Sequence, residues 1–131
     1  MRTYIDRTLL ALGLVLLVAG FTGGAFAQAP PQKAPPAYVA DPAVYKLLGE
    51  NDQFLVIMAK RPAGHRGAWH SHLPNAVYNL TDCDSRIYTP DGKILEAKRK
   101  AGVVFLQPPV PSHAVENIGT AECDQLIVER K

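Results

Sequence analysis

The stretch Gly64-His65-Arg66-Gly67-Ala68-Trp69-His70-Ser71-His72 decides how the rest of this chain is read. Side chains alternate faces along a β-strand, so His70 and His72 point the same way. An inward pair of that kind offers two imidazoles to one metal ion. A third histidine stands much later, in Pro108-Pro109-Val110-Pro111-Ser112-His113-Ala114-Val115-Glu116-Asn117. The chain between and around these stretches must bring them together.

Outward from the pair, every segment reads as strand or turn. Leu73-Pro74-Asn75 breaks the strand and Ala76 to Leu80 resumes it. Arg86 to Thr89 and Ile94 to Lys98 flank Pro90-Asp91-Gly92-Lys93, and Asp-Gly between two strand runs signals a hairpin. Gly102 opens Val103 to Leu106, which stops at two prolines, and His113 to Ile118 alternates. Gln125 to Glu129 is the last run. On the N-terminal side, Val44 to Leu48 and Phe54 to Ala59 form a hairpin across the turn residues Gly49 to Asp52. The second of these strands is apolar on both faces and is expected to be buried on both. Arg61-Pro62-Ala63-Gly64 ends it. Strands with turn signals every 8–12 residues or so, and no helical period longer than two turns, make an all-β sandwich or small barrel.

The N-terminus reads as a targeting segment. Arg2 and Arg7 give a positive region, Leu9 to Phe21 is apolar, and Ala25-Phe26-Ala27 is an A-x-A cleavage site. Residues 1–27 are therefore expected to be a signal peptide, with the mature protein periplasmic or secreted and no membrane insertion after cleavage. The other reading of this segment is an uncleaved anchor. Residues 28–37, Gln-Ala-Pro-Pro-Gln-Lys-Ala-Pro-Pro-Ala, form a Pro-rich linker, expected to be a semi-rigid tether outside the core. One domain follows, over residues 38–131.

Charge excludes some partners. Arg2, Arg7 and Asp6 leave with the signal, so the formal +2 of the whole chain falls to +1. That is no field for nucleic acid. Lys98-Arg99-Lys100 is the one basic run and reads as the solvated end of a strand. Two cysteines, Cys83 and Cys123, are more often paired than free in an oxidising compartment, and their count does not prove that they meet.

Two spaced motifs now carry a resemblance. Gly64, five residues and His70-Ser71-His72 match the start of the first cupin motif. Gly102, five residues, Pro108, then His113 and Asn117 at the right intervals match the second, with Val110 in place of its glycine. The chain resembles a small single-domain cupin, a cupin-2-like jelly-roll barrel of the RmlC type. The glutamate of the first motif would fall at 76 or 77, where Ala76 and Val77 stand.

The resemblance implies a metal centre on His70, His72 and His113, with no carboxylate to transfer. Cupins hold Fe, Mn, Ni, Zn or Cu on three histidines and a glutamate, and some dioxygenases of this kind use three histidines alone. A three-imidazole set suits a divalent transition metal, Fe, Zn, Ni or Cu, better than Mn. Asn75, just past the pair, could orient a ligand or bound water, or serve only the turn at Pro74. Tyr78 lines the pocket if the break at Pro74 keeps register. His65 lies in a Gly-flanked loop and reads as surface, and Asn117 reads as structural.

In a jelly roll the last strand runs antiparallel beside the strand that follows the first motif. That would bring Cys83 and Cys123 together as a disulfide. Small cupins also pair through sheet edges, which implies a homodimer. Two functions stay open from the residues alone, beside a third reading of a structural cupin whose pocket is vestigial. One is a metal-dependent enzyme on a small-molecule substrate, with oxidative or isomerase-like chemistry and no nameable general base. The other is a non-catalytic module of the cell envelope that binds a small ligand or a metal.

Overall fold

The computed structural model describes residues 29–131, so the expected signal segment 1–27 lies outside the described residues. Two antiparallel sheets face each other. One has the order β1 (Tyr45–Glu50), β2 (Phe54–Arg61), β9 (Cys123–Arg130), β4 (Asn75–Asn79), β7 (Val104–Gln107). The other has the order β3 (His70–His72), β8 (Val110–Asn117), β5 (Cys83–Tyr88), β6 (Ile94–Arg99). Period-2 alternation decides which side of each strand is inside. Leu55, Ile57, Ala59 and Arg61 of β2 point in, as do Cys123, Gln125, Ile127 and Glu129 of β9. The apolar core gathers Ala37, Val44, Tyr45, Ile57, Ala59, Val77 and Ile127. No helix among the described residues is long and apolar enough to cross a membrane.

The predicted hairpins form, including β1–β2 and the β5–β6 pair across Asp91-Gly92. The last strand runs antiparallel beside β4, with Asn75 opposite Glu129 and Asn79 opposite Gln125. That pairing sets Cys83 and Cys123 side by side, and they form a disulfide with a Cα separation of 5.0 Å. Both motif glycines take the left-handed backbone that other residues resist. Gly64 has φ +74° and Gly102 φ +81°. The Gly64 N–H donates to the carbonyl of Asn117 at 2.8 Å, so the start of the first motif is tied to the end of the second.

Two expectations are corrected. Strand β2 is buried on one face only, because it belongs to an outer sheet whose other side meets water. Phe54 and Lys60 are exposed on that side, and Val56 and Met58 are half-buried. The Pro-rich segment is not wholly a tether. Ala34 and Ala37 are buried, the Ala34 N–H donates to Pro111 O at 2.9 Å, and Ser71 N–H donates to Pro35 O at 2.8 Å. Proline lacks a donor yet keeps its carbonyl, so Pro35 and Pro111 can both accept at a strand edge. The segment lies as a strap along β3 and leads into a single turn of helix, α1 (Ala37–Ala40).

Candidate metal centre

Strands β3 and β8 pair antiparallel with His70 opposite His113, and a register shift separates His70 from His72. All three imidazoles are buried and point into the barrel. Their ring centroids are 4.5 Å apart for His70 and His113, 5.0 Å for His70 and His72, and 5.3 Å for His72 and His113. The rings meet edge to face, so they converge on a point rather than stack. One nitrogen from each lies within 4.8 Å of the others.

The outer nitrogens of His70 and His72 are tied off. His70 Nδ1 is 2.8 Å from Ala68 O, a carbonyl that can only accept, so Nδ1 carries the proton. Its Nε2 is then an acceptor, 3.2 Å from the Tyr45 hydroxyl. His72 Nδ1 donates to Glu129 Oε1 at 2.5 Å, and the other oxygen of Glu129 accepts from the Leu73 N–H at 3.3 Å. His113 Nε2 is buried and has no partner at all. Burial, and then the neighbouring His72, hold the His70 pKa down at about 3. Burial, and then His70 and His72, hold His113 down at about 2. Both imidazoles are neutral at ordinary pH, with lone pairs available, as metal ligation requires.

Three further residues belong to the centre, and the motifs do not name them. Glu129 orients His72 from β9. Tyr45 donates to His70, and burial raises its pKa against the opposing charge of Arg61. Arg61 donates from Nη2 to the Tyr45 hydroxyl at 2.6 Å. Alternation was the available signal for two of them. Arg61 keeps phase with Ile57 and Ala59, and Glu129 keeps phase with Gln125 and Ile127.

Other candidate residues fall elsewhere. Tyr78 does not line the pocket: it faces outward, 40% exposed. The turn at Leu73-Pro74 changes the parity, so that Asn75, Val77 and Asn79 are the inward residues of β4. Asn75 is buried, and its Nδ2 donates to Leu73 O at 2.8 Å across the turn, which leaves Oδ1 without a partner. His65 sits 3.2 Å from Asp41 and apart from the three histidines. Asn117 Nδ2 donates to Arg61 O and Ala121 O, a structural role. Lys98 and Lys100 are exposed as expected, whereas the Arg99 guanidinium lies over the Phe105 ring, 4.0 Å from its centroid.

A cavity of about 40 Å³ adjoins the histidines, with His72 and His113 in its wall. Tyr45, Arg61, Ser85, Arg99, Gln107 and Gln125 give it polar groups, and Val77, Ile87 and Phe105 are among its apolar ones. On the other side of His72 lies a larger apolar groove of about 490 Å³, walled partly by the strap residues Lys33 and Pro36. The donor set fits a metal ion. Three buried, converging imidazoles with one orphaned nitrogen are what such an ion completes, and Glu129 supplies the carboxylate-to-histidine support that ligating imidazoles need.

No protein-family model and no curated protein matches the chain. Solved structures do. A cupin domain from Bordetella pertussis Tohama I superposes with a TM-score of 0.62 at 24% identity, over 76% of this chain and 97% of that one. An RmlC-like cupin family protein with a double-stranded β-helix fold, from Methanocaldococcus jannaschii, gives 0.54 at 14% identity, over 66% and 78%. A cupin superfamily protein from Desulfitobacterium hafniense gives 0.51 at 13%, over 79% and 95%. The fold is that of a small cupin jelly roll, and its three grouped histidines are compatible with metal binding.

Proposed function

We infer that this jelly roll is an exported metalloprotein that holds one divalent transition metal ion on His70, His72 and His113. The unpartnered, buried Nε2 of His113 is the observation that carries the reading. A buried polar atom left without a partner is rare and destabilising, and an ion satisfies it together with the two Nε2 atoms beside it. Imidazole-only ligation favours Fe, Zn, Ni or Cu over Mn. His70, His72 and His113 would hold such an ion, which would supply Lewis acidity or redox chemistry to a small molecule. The residues of the chain orient the ligands, exclude water and present Tyr45 and Arg61 beside them. Polar groups converge on the histidines and Tyr78 faces away from them, with Phe105 part of the cavity wall, which favours chemistry over a vestigial barrel.

Export is supported by the Ala25-Phe26-Ala27 site and by the disulfide, which persists in oxidising compartments. A second reading, a non-catalytic binding module, is favoured by one observation. No aspartate or glutamate lines the cavity to act as acid or base. Elemental analysis of the protein recovered from its exported compartment tests the centre. About one equivalent of a transition metal is expected from three-ligand sites of this kind, and it is lost in His113→Ala. No metal in the wild type, and no thermal stabilisation on adding Zn, Fe, Ni or Cu, would refute it. Turnover of a small molecule that disappears with the metal separates the enzyme from the binding module.

A further inference from the structure

One buried charge beside the metal centre has no counter-charge there. Arg61 closes β2 and is only 2% exposed, because its phase in the strand turns it into the barrel. Its Nη2 donates to the Tyr45 hydroxyl at 2.6 Å, and its Nη1 contacts the disulfide sulfur of Cys123 at 3.8 Å. Neither partner is an anion. Nε is buried without a partner, and Arg61 joins none of the salt bridges among the described residues. A guanidinium does not lose its proton in proteins, so it cannot escape the desolvation penalty by neutralising as a lysine would. A buried charge of this kind calls for a counter-charge.

The surroundings say where that counter-charge would sit. Arg61 lines the cavity that His72 and His113 also line. Arg99 lines the same space from β6, stacked on Phe105. No carboxylate lines it, and Glu129 lines the apolar groove instead. The wall thus carries two fixed positive charges and no negative one. At about 40 Å³ the space admits about three waters of 10–15 Å³ each, so an occupant has few non-hydrogen atoms. The guanidinium fork matches a planar carboxylate. Val77, Ile87, Val115 and Ile127 complete the wall, which suits a short carbon chain better than a hydrated inorganic oxyanion.

We propose that this cavity binds a short-chain organic carboxylate, seated on Arg61, with Arg99 as the second positive group and the other end of the molecule facing His72 and His113. The seat on Arg61 stands on its own, and only the contact at the far end rests on the metal reading.

Calorimetric titration of the mature protein, metal-free and metal-loaded, tests the proposal with three probes: glycolate, its uncharged amide glycolamide, and inorganic phosphate. Glycolate is expected to bind at one site, with glycolamide and phosphate weaker by about tenfold or more. Arg61→Lys keeps the buried charge while removing the fork, and is expected to weaken glycolate by about tenfold or more. Arg99→Gln, at a half-exposed position, should weaken it by a smaller factor. Arg61→Met is informative only if its near-ultraviolet circular dichroism matches wild type, and Arg61→Lys decides otherwise. Glycolamide or phosphate binding as tightly as glycolate overturns the proposal, and so does unchanged glycolate affinity in Arg61→Lys. Metal content is measured on the same samples. Metal without carboxylate binding sinks the carboxylate pocket alone, and Arg61-dependent carboxylate binding without metal sinks the metal reading alone.

Discussion

Glu129 Oε1 lies 2.5 Å from Nδ1 of His72, between two strands that belong to different sheets. Both side chains are buried. The contact fixes the proton on Nδ1 and so turns the lone pair of Nε2 toward the other histidines. Ala76 and Val77 stand where the motif glutamate would fall, and the Glu129 carboxylate is placed to orient a candidate ligand and is not one of the converging atoms.

Glu129→Gln keeps the shape and one accepting oxygen but removes the charge. Metal affinity is expected to fall by roughly 10–100-fold, the usual effect of losing such a support, with little change of fold. Competition against a chelator of known affinity measures it. Unchanged affinity would mean that Glu129 merely fills the gap between sheets.

Acidity should unfold the metal-free protein early. His70 and His113 sit at about 3 and about 2, against an ordinary 6.5. As pH falls through 6.5 the unfolded chain takes up protons that the folded chain refuses. Stability is then at its full value above that pH and is lost progressively as pH falls toward the folded values. The slope approaches roughly 1.4 kcal/mol per pH unit for each group. Urea midpoints of the metal-free protein should be level at neutral pH and drop steeply below pH 6 or so. Loaded with metal, the protein should hold its midpoint to lower pH, because the ion binds only the folded state. A midpoint that rises on acidification would contradict the burial of these imidazoles.

The disulfide closes a loop with a sequence separation of 40. Its removal in Cys83→Ala/Cys123→Ala is expected to cost roughly 2–4 kcal/mol. The loss is read from denaturant midpoints of the double variant, and thiol labelling of the unreduced wild type should find no free thiol. Because Arg61 Nη1 rests on Cys123 Sγ, the variant also loosens that guanidinium. A stability loss near zero would mean that the starts of β5 and β9 stay together without the bond.

Most of the fold was legible because its signals are local. Asp91-Gly92, the doubled proline at 108–109 and the alternating runs each dictate a turn or a strand without help from distant residues. The histidine triad was legible because spacing within β3 and the second motif are local too. The rest depended on which neighbour each strand meets. Arg61 before Pro62 reads as a turn residue unless the alternation of Ile57 and Ala59 is carried on through it, as the sheet shows it is. Glu129 sits near the chain end, and its partner His72 is 57 residues away in sequence. Tyr78 was misplaced because Pro74 shifts the parity by one residue, and such a slip sends every side chain to the other face. Arg99 hides in a basic run whose other two members are exposed, and no sequence pattern separates it from them.

The strap gives the last prediction. Strand β3 is three residues long and pairs on one side with β8. On its other side the Ser71 N–H is satisfied by Pro35 O, and Pro36 forms a parallel bridge with Ser71. Ser71 lies between His70 and His72, so the strap holds the strand that carries two of the three candidate ligands. Ala37, 1% exposed, anchors it in the core beside Tyr45. Deleting residues 29–37 removes the two backbone hydrogen bonds that tie the strap to β3 and β8, the start of α1 and the Ala37 packing, an expected loss of about 2–4 kcal/mol at roughly 1 kcal/mol for each tie and a similar amount for the packing. Metal affinity should fall with it, since His70 and His72 then ride on an unpinned edge. Ala37→Asp should reproduce the loss with the segment retained, because it buries a charge without a partner. Denaturant midpoints and metal titration of the three proteins read the outcome. A deletion indistinguishable from the full chain in both would return the segment to the role of a tether.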